Sequence, residues 1–165
     1  MPSKIYLDTS ILCALADPPA RSAYARTCQS LTRRWFRALP HTLNLCTSEI
    51  ALQEIIAGPP ELASARLGKA EALLVLPDNK KFRDKGELFM AGGGLSSNVT
   101  TIGSQIACAS NFSANLFVTW QWLRLEYHRL SNLHIMLDAA GLAQIDFITP
   151  LQLLELNYET IQTSR

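Results

Sequence analysis

The chain has 165 residues, a length that suits one domain with a buried core, and we predict a single domain over residues 1–165. Hydrophobic residues make up 48% of it and charged residues 18%, which excludes an intrinsically disordered protein. A formal net charge of +1 argues against a dominant field for nucleic acid, although local basic patches remain compatible with it.

Strands and helices alternate along the predicted chain. The predicted strands are Lys4–Leu7, Leu43–Cys46, Leu116–Trp120 and Ile145–Ile148, and the run Leu74–Pro77 is too short to classify. The predicted helices are Ser10–Ala16, Ala20–Ala38, Glu49–Ala57, Glu61–Leu73, Lys81–Met90, Thr101–Ser110, Leu130–Ala140 and Pro150–Leu154. This alternation predicts the α/β class, with a mainly parallel central sheet covered by helices on both faces as a three-layer sandwich.

The end of the first strand carries the most informative residue. Asp8 follows the apolar run of that strand, and Thr9 and Ser10 then open a helix. In an open α/β sheet the carboxyl ends of the strands face the binding crevice, so Asp8 is a candidate metal-holding carboxylate. Asp8 is equally well explained as the cap of the following helix, and the sequence leaves both readings open.

A second candidate acid lies in the helix after the second strand. Glu54 borders the apolar positions Ile50 and Ala51 at helical spacings of four and three. An acid at the edge of an apolar stripe is either solvated or directed into a cleft, and the residues alone favour the solvated reading.

Other features carry weaker functional readings. Trp120 and Trp122 could stack on bases, but packing in the core or an interface is the favoured reading. Basic residues in two groups are candidate phosphate contacts, with solvated faces the favoured reading; they are Arg33, Arg34 and Arg37, and Arg124, His128 and Arg129. The segment Gly92–Gly94 lacks the Lys and Ser or Thr of a phosphate-binding loop.

Cysteine usage and hydropathy exclude further classes. The four cysteines lie far apart in apolar contexts with no C-x-x-C pair, so zinc and a disulfide framework are not expected. No stretch is long and apolar enough to cross a bilayer, and the N-terminus lacks a signal-peptide pattern. We therefore expect a cytoplasmic protein without a membrane partner.

The chain resembles the PIN-domain family of nucleases, which includes the VapC-like toxins of bacterial toxin–antitoxin pairs. The resemblance spans nearly the whole chain and rests on weak motifs in the right order and spacing. They are Ile5–Leu12, Leu52–Glu61, Ile106–Ala109, Leu116–Trp120 and Ile148–Leu154. It implies a PIN-like fold, Mg²⁺ or Mn²⁺ as cofactor, RNA as substrate, an antitoxin protein as partner and a homodimer.

The resemblance also implies roles for particular residues. Asp8 matches the first acid of the family and Glu54 the second, so both are expected to be catalytic and to hold the metal. The hydroxyl residues Thr9, Ser10 and Thr119 are expected to contact the substrate.

Two positions depart from the family pattern. Ile102 stands where the third acid is expected, at the start of a helix, and Gln105 stands where a His is usual. Gln121 stands in place of an Asn or Asp and is expected to serve as a neutral third metal ligand. Replacing an acid by Ile removes a charge and a hydrogen-bond acceptor and adds bulk to a helix face expected to line the cleft. We therefore expect a weak or inactive metal-dependent ribonuclease, with a non-catalytic RNA- or protein-binding relative as the alternative.

Overall fold

A five-stranded parallel sheet forms the centre of the computed structural model, which describes residues 4–39, 43–93, 101–121 and 127–163. The strands are β1 (Lys4–Leu7), β2 (Asn44–Ser48), β3 (Leu74–Leu76), β4 (Leu116–Val118) and β5 (Asp146–Ile148). The helices within the described ranges are α1 (Thr9–Ala16), α2 (Ala23–Ala38), α3 (Glu49–Ala57), α4 (Pro60–Ala70), α5 (Lys80–Gly93), α6 (Ile102–Asn111), α7 (Tyr127–Ala139) and α8 (Pro150–Thr163).

The strand order is β3-β2-β1-β4-β5, and every pairing is parallel. In β1, Tyr6 lies opposite Cys46 of β2, and Leu7 lies opposite Val118 of β4. The prediction of a parallel sheet with Leu7, Cys46 and Val118 on neighbouring strands or near their ends is therefore confirmed. The predicted α/β class with a mainly parallel central sheet is confirmed with it.

Helices cover both faces of the sheet, so the core has two halves. Tyr6 points to one face, where it packs with Ile106 and Phe117. Its neighbours Ile5 and Leu7 point to the other face and join a separate cluster. This alternation along a fully buried strand is what a parallel sheet covered on both faces requires.

Side-chain caps determine where several helices begin. The Ser22 hydroxyl accepts a 3.1 Å hydrogen bond from the Ala25 amide, so α2 begins at Ala23 and not at Ala20 as predicted. The Ala20 amide instead donates to the Gln29 side chain at 3.0 Å. Ser48 at the end of β2 caps α3 by accepting from the Ala51 amide at 3.3 Å.

Other predicted ends also differ from the structure: β2 runs to Ser48, α4 stops at Ala70, α5 runs to Gly93 and α7 begins at Tyr127. Strand β4 stops at Val118, two residues short of the prediction, because the Trp120 amide donates to the Ser10 hydroxyl and not to a strand. Helix α8 runs to Thr163, well past the predicted end at Leu154. Among the described residues, no helix has both the length and the apolar character needed to span a bilayer.

Candidate active site

The candidate site lies where the strand order reverses. From β1 the chain proceeds outward through β2 to β3, and then crosses back to place β4 on the other side of β1. Ligands of open α/β sheets bind at such a point, outside the carboxyl ends of the strands. Asp8 directly follows β1 and Thr119 directly follows β4, so the two residues flank this point.

Asp8 is buried and fully engaged with its neighbours. Its Oδ1 accepts hydrogen bonds from the Ser10 hydroxyl at 2.6 Å and from the Ile11 amide at 3.2 Å. Its Oδ2 accepts one from the Thr119 hydroxyl at 2.5 Å. The bond from Ile11 makes Asp8 the N-cap of α1, so the capping reading holds. The metal-holding reading of Asp8 is not tested by this capping bond and stays a prediction.

The environment of Asp8 disfavours its charge. Burial raises the pKa of this carboxyl to about 6, against hydrogen bonds from Ser10, Thr119 and Ile11 that lower it. The negative charge of Glu54 contributes a further increase in the pKa, which places the two carboxylates within electrostatic reach of each other.

Glu54 is half-buried and is held by three donors on one oxygen. Its Oε2 accepts hydrogen bonds from the Thr9 hydroxyl at 2.8 Å, from Gln105 Nε2 at 2.9 Å and from the Thr101 hydroxyl. Its Oε1 accepts none from the described residues. Glu54 therefore points into the site and is not a solvated side chain, and one of its oxygens is free for a ligand.

A buried chain of polar groups fixes the orientation of Gln105. Tyr6, which is fully buried, shares a 2.6 Å hydrogen bond with the Ser48 hydroxyl and donates to Gln105 Oε1 at 3.2 Å. This contact assigns the carbonyl side of the amide to Tyr6, so Nε2 faces Glu54. Burial is the main reason that the pKa of Tyr6 lies well above its usual value, so its hydroxyl keeps its proton.

The structure brings together most of the residues singled out from the sequence. Asp8 and Glu54, which come from different elements, are linked because Thr9, the residue after Asp8, donates to Glu54. Ser10 and Thr119 both donate to Asp8. The hydroxyl groups of these residues thus hold the carboxylates, and contact of Thr9, Ser10 and Thr119 with a substrate stays a prediction.

The expectation that Ile102 lines the cleft is wrong. Ile102 is 5% exposed and packs in the apolar cluster that also contains Tyr6 and Phe89. The residues of α6 and its cap that face Glu54 are Thr101 and Gln105, one helical turn apart. The side chains that α6 and its cap place next to Glu54 are therefore the neutral ones of Thr101 and Gln105, because the Ile102 side chain points into the core.

Gln121 takes a position that leaves its predicted role open. Its backbone amide donates to the Thr119 hydroxyl at 3.0 Å, which places it close to the carboxyl end of β4. Among the described residues its side chain makes no hydrogen bond to Asp8 or Glu54. Its service as a third metal ligand therefore stays a prediction.

A cleft of about 320 Å³ opens beside Glu54 and has both basic and acidic side chains in its wall. Arg83 lines it, paired with Asp78 and donating to Gln53 Oε1 at 2.9 Å. Thr101 and Glu87 line it as well. The cleft thus has one cation, which is paired with Asp78, and the two acids Glu54 and Glu87 in its wall.

The donors present fit one divalent ion held weakly. Mg²⁺ prefers oxygen ligands, keeps several waters and is commonly bound through one or two carboxylates plus substrate phosphates. Asp8 and Glu54 supply two carboxylates, one of them with a free oxygen. The described part of the chain contains no cluster of three or more His, Cys, Asp or Glu suited to a metal, so these two carboxylates are not joined there by a third ligand of that kind.

Thr101 and Gln105 donate hydrogen bonds to Glu54, a role that was not predicted from the sequence for either residue. Both are neutral, and neither lies in an acidic motif. A signal did exist, because they stand four residues apart on one helix face, and Gln105 takes the position where the family pattern has a His. The expected site-facing residue was Ile102, whereas the residues that contact Glu54 are its neighbour Thr101 and Gln105.

The remaining predicted contacts are partly described. Trp120 is half-buried, and its indole Nε1 donates to the Thr32 hydroxyl at 2.7 Å, which supports the packing reading for this residue. Trp122, Arg124 and the side chains of His128 and Arg129 lie outside the described residues.

The fold is similar to that of a toxin whose structure has been solved. The chain is similar to VapC20 of Mycobacterium tuberculosis, a toxin that cleaves the sarcin–ricin loop, with a TM-score of 0.51 and 14% sequence identity. The similarity covers 86% of this chain and 98% of VapC20. No protein-family model and no curated protein sequence matches the chain. At this identity the likeness shows the fold, which is the PIN-like α/β fold implied by the sequence resemblance.

Proposed function

We propose that the protein is a PIN-like, metal-dependent ribonuclease that hydrolyses RNA phosphodiester bonds slowly. The observation that carries this proposal is the convergence of Asp8 and Glu54. They come from separate elements, stand at the crevice where the strand order reverses, and are linked through Thr9. A structural cap alone would account for Asp8, but it gives no reason for Glu54 to lie half-buried beside it with one oxygen free.

Each residue of the site then has a defined task. Asp8 and Glu54 would hold a Mg²⁺ or Mn²⁺ ion, which when bound neutralises charge on the scissile phosphate and lowers the pKa of an attacking water. Thr119 and Ser10 keep the Asp8 carboxylate in place, and Gln105 does the same for Glu54.

The neutral groups around Glu54 explain why we expect slow hydrolysis. Thr101 and Gln105 offer hydrogen bonds to Glu54 but no charge to a cation. A site with two carboxylates binds a divalent ion less tightly than one with three or four, and it does less to orient the attacking water. Mn²⁺ and a high metal concentration should therefore favour activity.

The biological setting is part of the same proposal. VapC20 is a toxin, and a toxin of this kind would act with an antitoxin protein, as a homodimer, in the cytoplasm. A short adjoining reading frame for a small DNA-binding protein would support this setting. If no such reading frame adjoins the gene, the protein would be a ribonuclease that does not belong to a toxin–antitoxin pair.

A second candidate is a non-catalytic relative that keeps the fold to bind RNA or a protein. The three neutral donors that already occupy Oε2 of Glu54 favour it, because they satisfy this oxygen without a metal. In this case the site would stabilise the fold without turnover.

Cleavage of labelled RNA separates the two candidates. The wild type is compared with Asp8→Asn, Glu54→Gln and the control Glu71→Gln, which removes an exposed acid at the end of α4. A sarcin–ricin loop oligonucleotide and an unstructured RNA serve as substrates in Mn²⁺, Mg²⁺ and EDTA. The proposal expects metal-dependent cleavage by the wild type and the control, lost in both site variants.

Two results would reject the ribonuclease. The first is no cleavage by the wild type at any metal concentration, which would favour the non-catalytic relative. The second is cleavage that survives both Asp8→Asn and Glu54→Gln, since the activity would then come from elsewhere or from a contaminant.

A further inference from the structure

A large basic cleft lies between α1, α2 and α4, away from the carboxylates. Its volume is about 660 Å³, and four cationic side chains line it with no acid among the described lining residues. The four cations are Arg26, Arg33, Arg37 and Lys69, and we call the cleft that they line the α2 basic cleft. With a net charge of only +1 for the whole chain, such a concentration is a local feature and not a general basic character.

Three of the cations are arranged by one helix. Arg26, Arg33 and Arg37 stand seven and four residues apart on α2, which puts them on the same helix face. Lys69 reaches the cleft from the end of α4. Arg33 is half-buried and Arg37 is exposed, and both line a concave surface, which is compatible with the solvated faces favoured from the sequence.

No carboxylate neutralises these cations among the described residues. The salt bridges there join Arg66 to Asp17, Lys80 to Asp84 and Arg83 to Asp78.

Backbone oxygens position all three guanidinium groups of the cleft, and Arg26 donates to the carbonyls of Ala20 and Arg21. Arg33 donates to the Asp17 carbonyl at 2.6 Å, and Arg37 donates to the Arg33 carbonyl at 3.2 Å. Such contacts hold a guanidinium group without cancelling its charge. A multiply charged anion is therefore the ligand that this cleft suits.

The α2 basic cleft shares one wall residue with a smaller cleft that lies nearer the candidate active site. Gln29 lines the α2 basic cleft and also a second, smaller cleft whose wall includes Ser10 and Trp120. Ser10 is the residue that donates to Asp8. Asp17 is the acid in this second cleft, and Arg66 donates two hydrogen bonds of 2.7 Å each to its carboxylate. This ion pair reduces the repulsion between Asp17 and a bound anion.

We infer that the α2 basic cleft binds the phosphate backbone of an RNA strand that runs past Ser10 to the carboxylates. The assignment of the anion to RNA rests on the proposed function. A polymer with one charge per nucleotide matches a row of cations on a helix face, and the apolar Leu15 and Phe36 in the cleft wall provide contact for sugars and bases.

The test compares two variants of equal charge. Arg37→Gln combined with Lys69→Gln removes two cations from the cleft, while Arg21→Gln combined with Lys81→Gln removes two exposed cations outside it. Arg26 and Arg33 stay unchanged because their side chains hold backbone carbonyls outside α2, whereas the bond of Arg37 lies within its own helix. Binding of a fluorescein-labelled single-stranded RNA is measured by anisotropy in EDTA, over salt from roughly 50 to 200 mM.

The inference expects roughly a tenfold loss of RNA affinity in the cleft variant and a smaller loss in the control. The slope of log affinity against log salt should fall by about 0.7 for each phosphate contact removed. Equal losses in both variants, or no RNA binding by the wild type, would overturn it. Binding of a polyglutamate peptide with the same affinity and the same loss would also overturn it, because the cleft would then be a site for acidic protein.

The failure of this inference is distinguishable from failure of the proposed function. If the wild type never cleaves RNA but the cleft variant alone loses RNA binding, the ribonuclease is rejected and the cleft assignment is supported. If the wild type cleaves RNA and the cleft variant does so with an unchanged KM, the cleft assignment is overturned and the ribonuclease is retained.

Discussion

Thr9 and Glu54 lie 45 positions apart in the chain and are joined by a hydrogen bond of 2.8 Å from the Thr9 hydroxyl to Oε2 of Glu54. Because Thr9 follows Asp8 directly, this bond fixes the distance between the first turn of α1 and the middle of α3. It thereby sets the relative placement of the two carboxylates on which the proposed chemistry depends.

The raised pKa of Asp8 predicts a pH dependence of stability. The folded state raises this pKa to about 6 from an ordinary value of 3.8, so between these values the folded protein binds more protons than the unfolded chain. The contribution of Asp8 to the free energy of unfolding should therefore fall as pH rises from about 4 to about 6, by at most roughly 3 kcal/mol. Urea unfolding in EDTA across this range, for the wild type and Asp8→Asn, measures it.

Asp8→Asn is a suitable comparison because Asn is also a good N-cap and can still accept from the Ile11 amide. At neutral pH the variant should be as stable as the wild type or more so. A difference between the two proteins that does not change with pH would contradict the raised pKa. Clear destabilisation by Asp8→Asn at neutral pH would assign the Asp8 carboxylate to a structural role.

Because Ile102 lies in the core, a third acid should be introduced at Thr101 and not at Ile102. Ile102→Asp would place a charge in the apolar cluster around Tyr6 and Phe89, so we expect a loss of several kcal/mol in stability and no gain in metal affinity. Thr101→Asp instead puts a carboxylate beside Glu54, and it should raise the affinity for Mn²⁺.

Thr101→Asn is the matched control, with nearly the same shape and no charge. Thermal unfolding with and without Mn²⁺ gives the measurement, because an ion bound only by the folded state raises the midpoint. Thr101→Asp should gain more from Mn²⁺ than the control does. Equal gains in the two variants would show that position 101 does not face the ion.

Helices α5 and α6 approach each other closely at Gly86 and Gly103, so larger residues at these positions should destabilise the protein. A Cβ added to Gly86 of α5 would lie 2.4 Å from the Ser104 amide nitrogen of α6, and one added to Gly103 would lie 2.4 Å from the Gly86 carbonyl oxygen. Gly86→Ala and Gly103→Ala should each cost roughly 1–3 kcal/mol or more, because backbone must move. They should also disturb Thr101 and Gln105, which the same helix α6 positions.

Gly68→Ala is the control for these substitutions. Gly68 lies in α4, and a Cβ there meets nothing within 4 Å, so this change should stabilise the protein by about 0.5–1 kcal/mol. Unfolding by denaturant measures all three variants. Equal effects at Gly68 and Gly86 would show that α5 and α6 do not pack so closely.

The fold was largely predictable from the sequence because its signals are local. Apolar runs such as Ile5–Leu7, and capping residues such as Ser48, indicate strands and helix starts without knowledge of their neighbours. The ends of α2 and β4 were less predictable. They depend on contacts of Ala20 with Gln29 and of Trp120 with Ser10, which join distant parts of the chain.

The candidate site was predictable only in part. Asp8 could be found because its place after an apolar strand is a local pattern. The contacts of Glu54 with Thr101 and Gln105 could not, since they depend on how α6 is rotated against α3. The sequence does not show which face of α6 turns toward Glu54, so Ile102 was expected in the cleft although its side chain lies in the core.

Calorimetric titration of the metal-free protein with Mn²⁺ tests the central claim most directly, because it detects the proposed ion without requiring turnover. The wild type and Glu71→Gln should bind one ion per chain weakly, and Asp8→Asn and Glu54→Gln should each abolish this binding. No heat of binding in the wild type, or binding that both site variants retain, would contradict the assignment of Asp8 and Glu54 as a metal-holding pair.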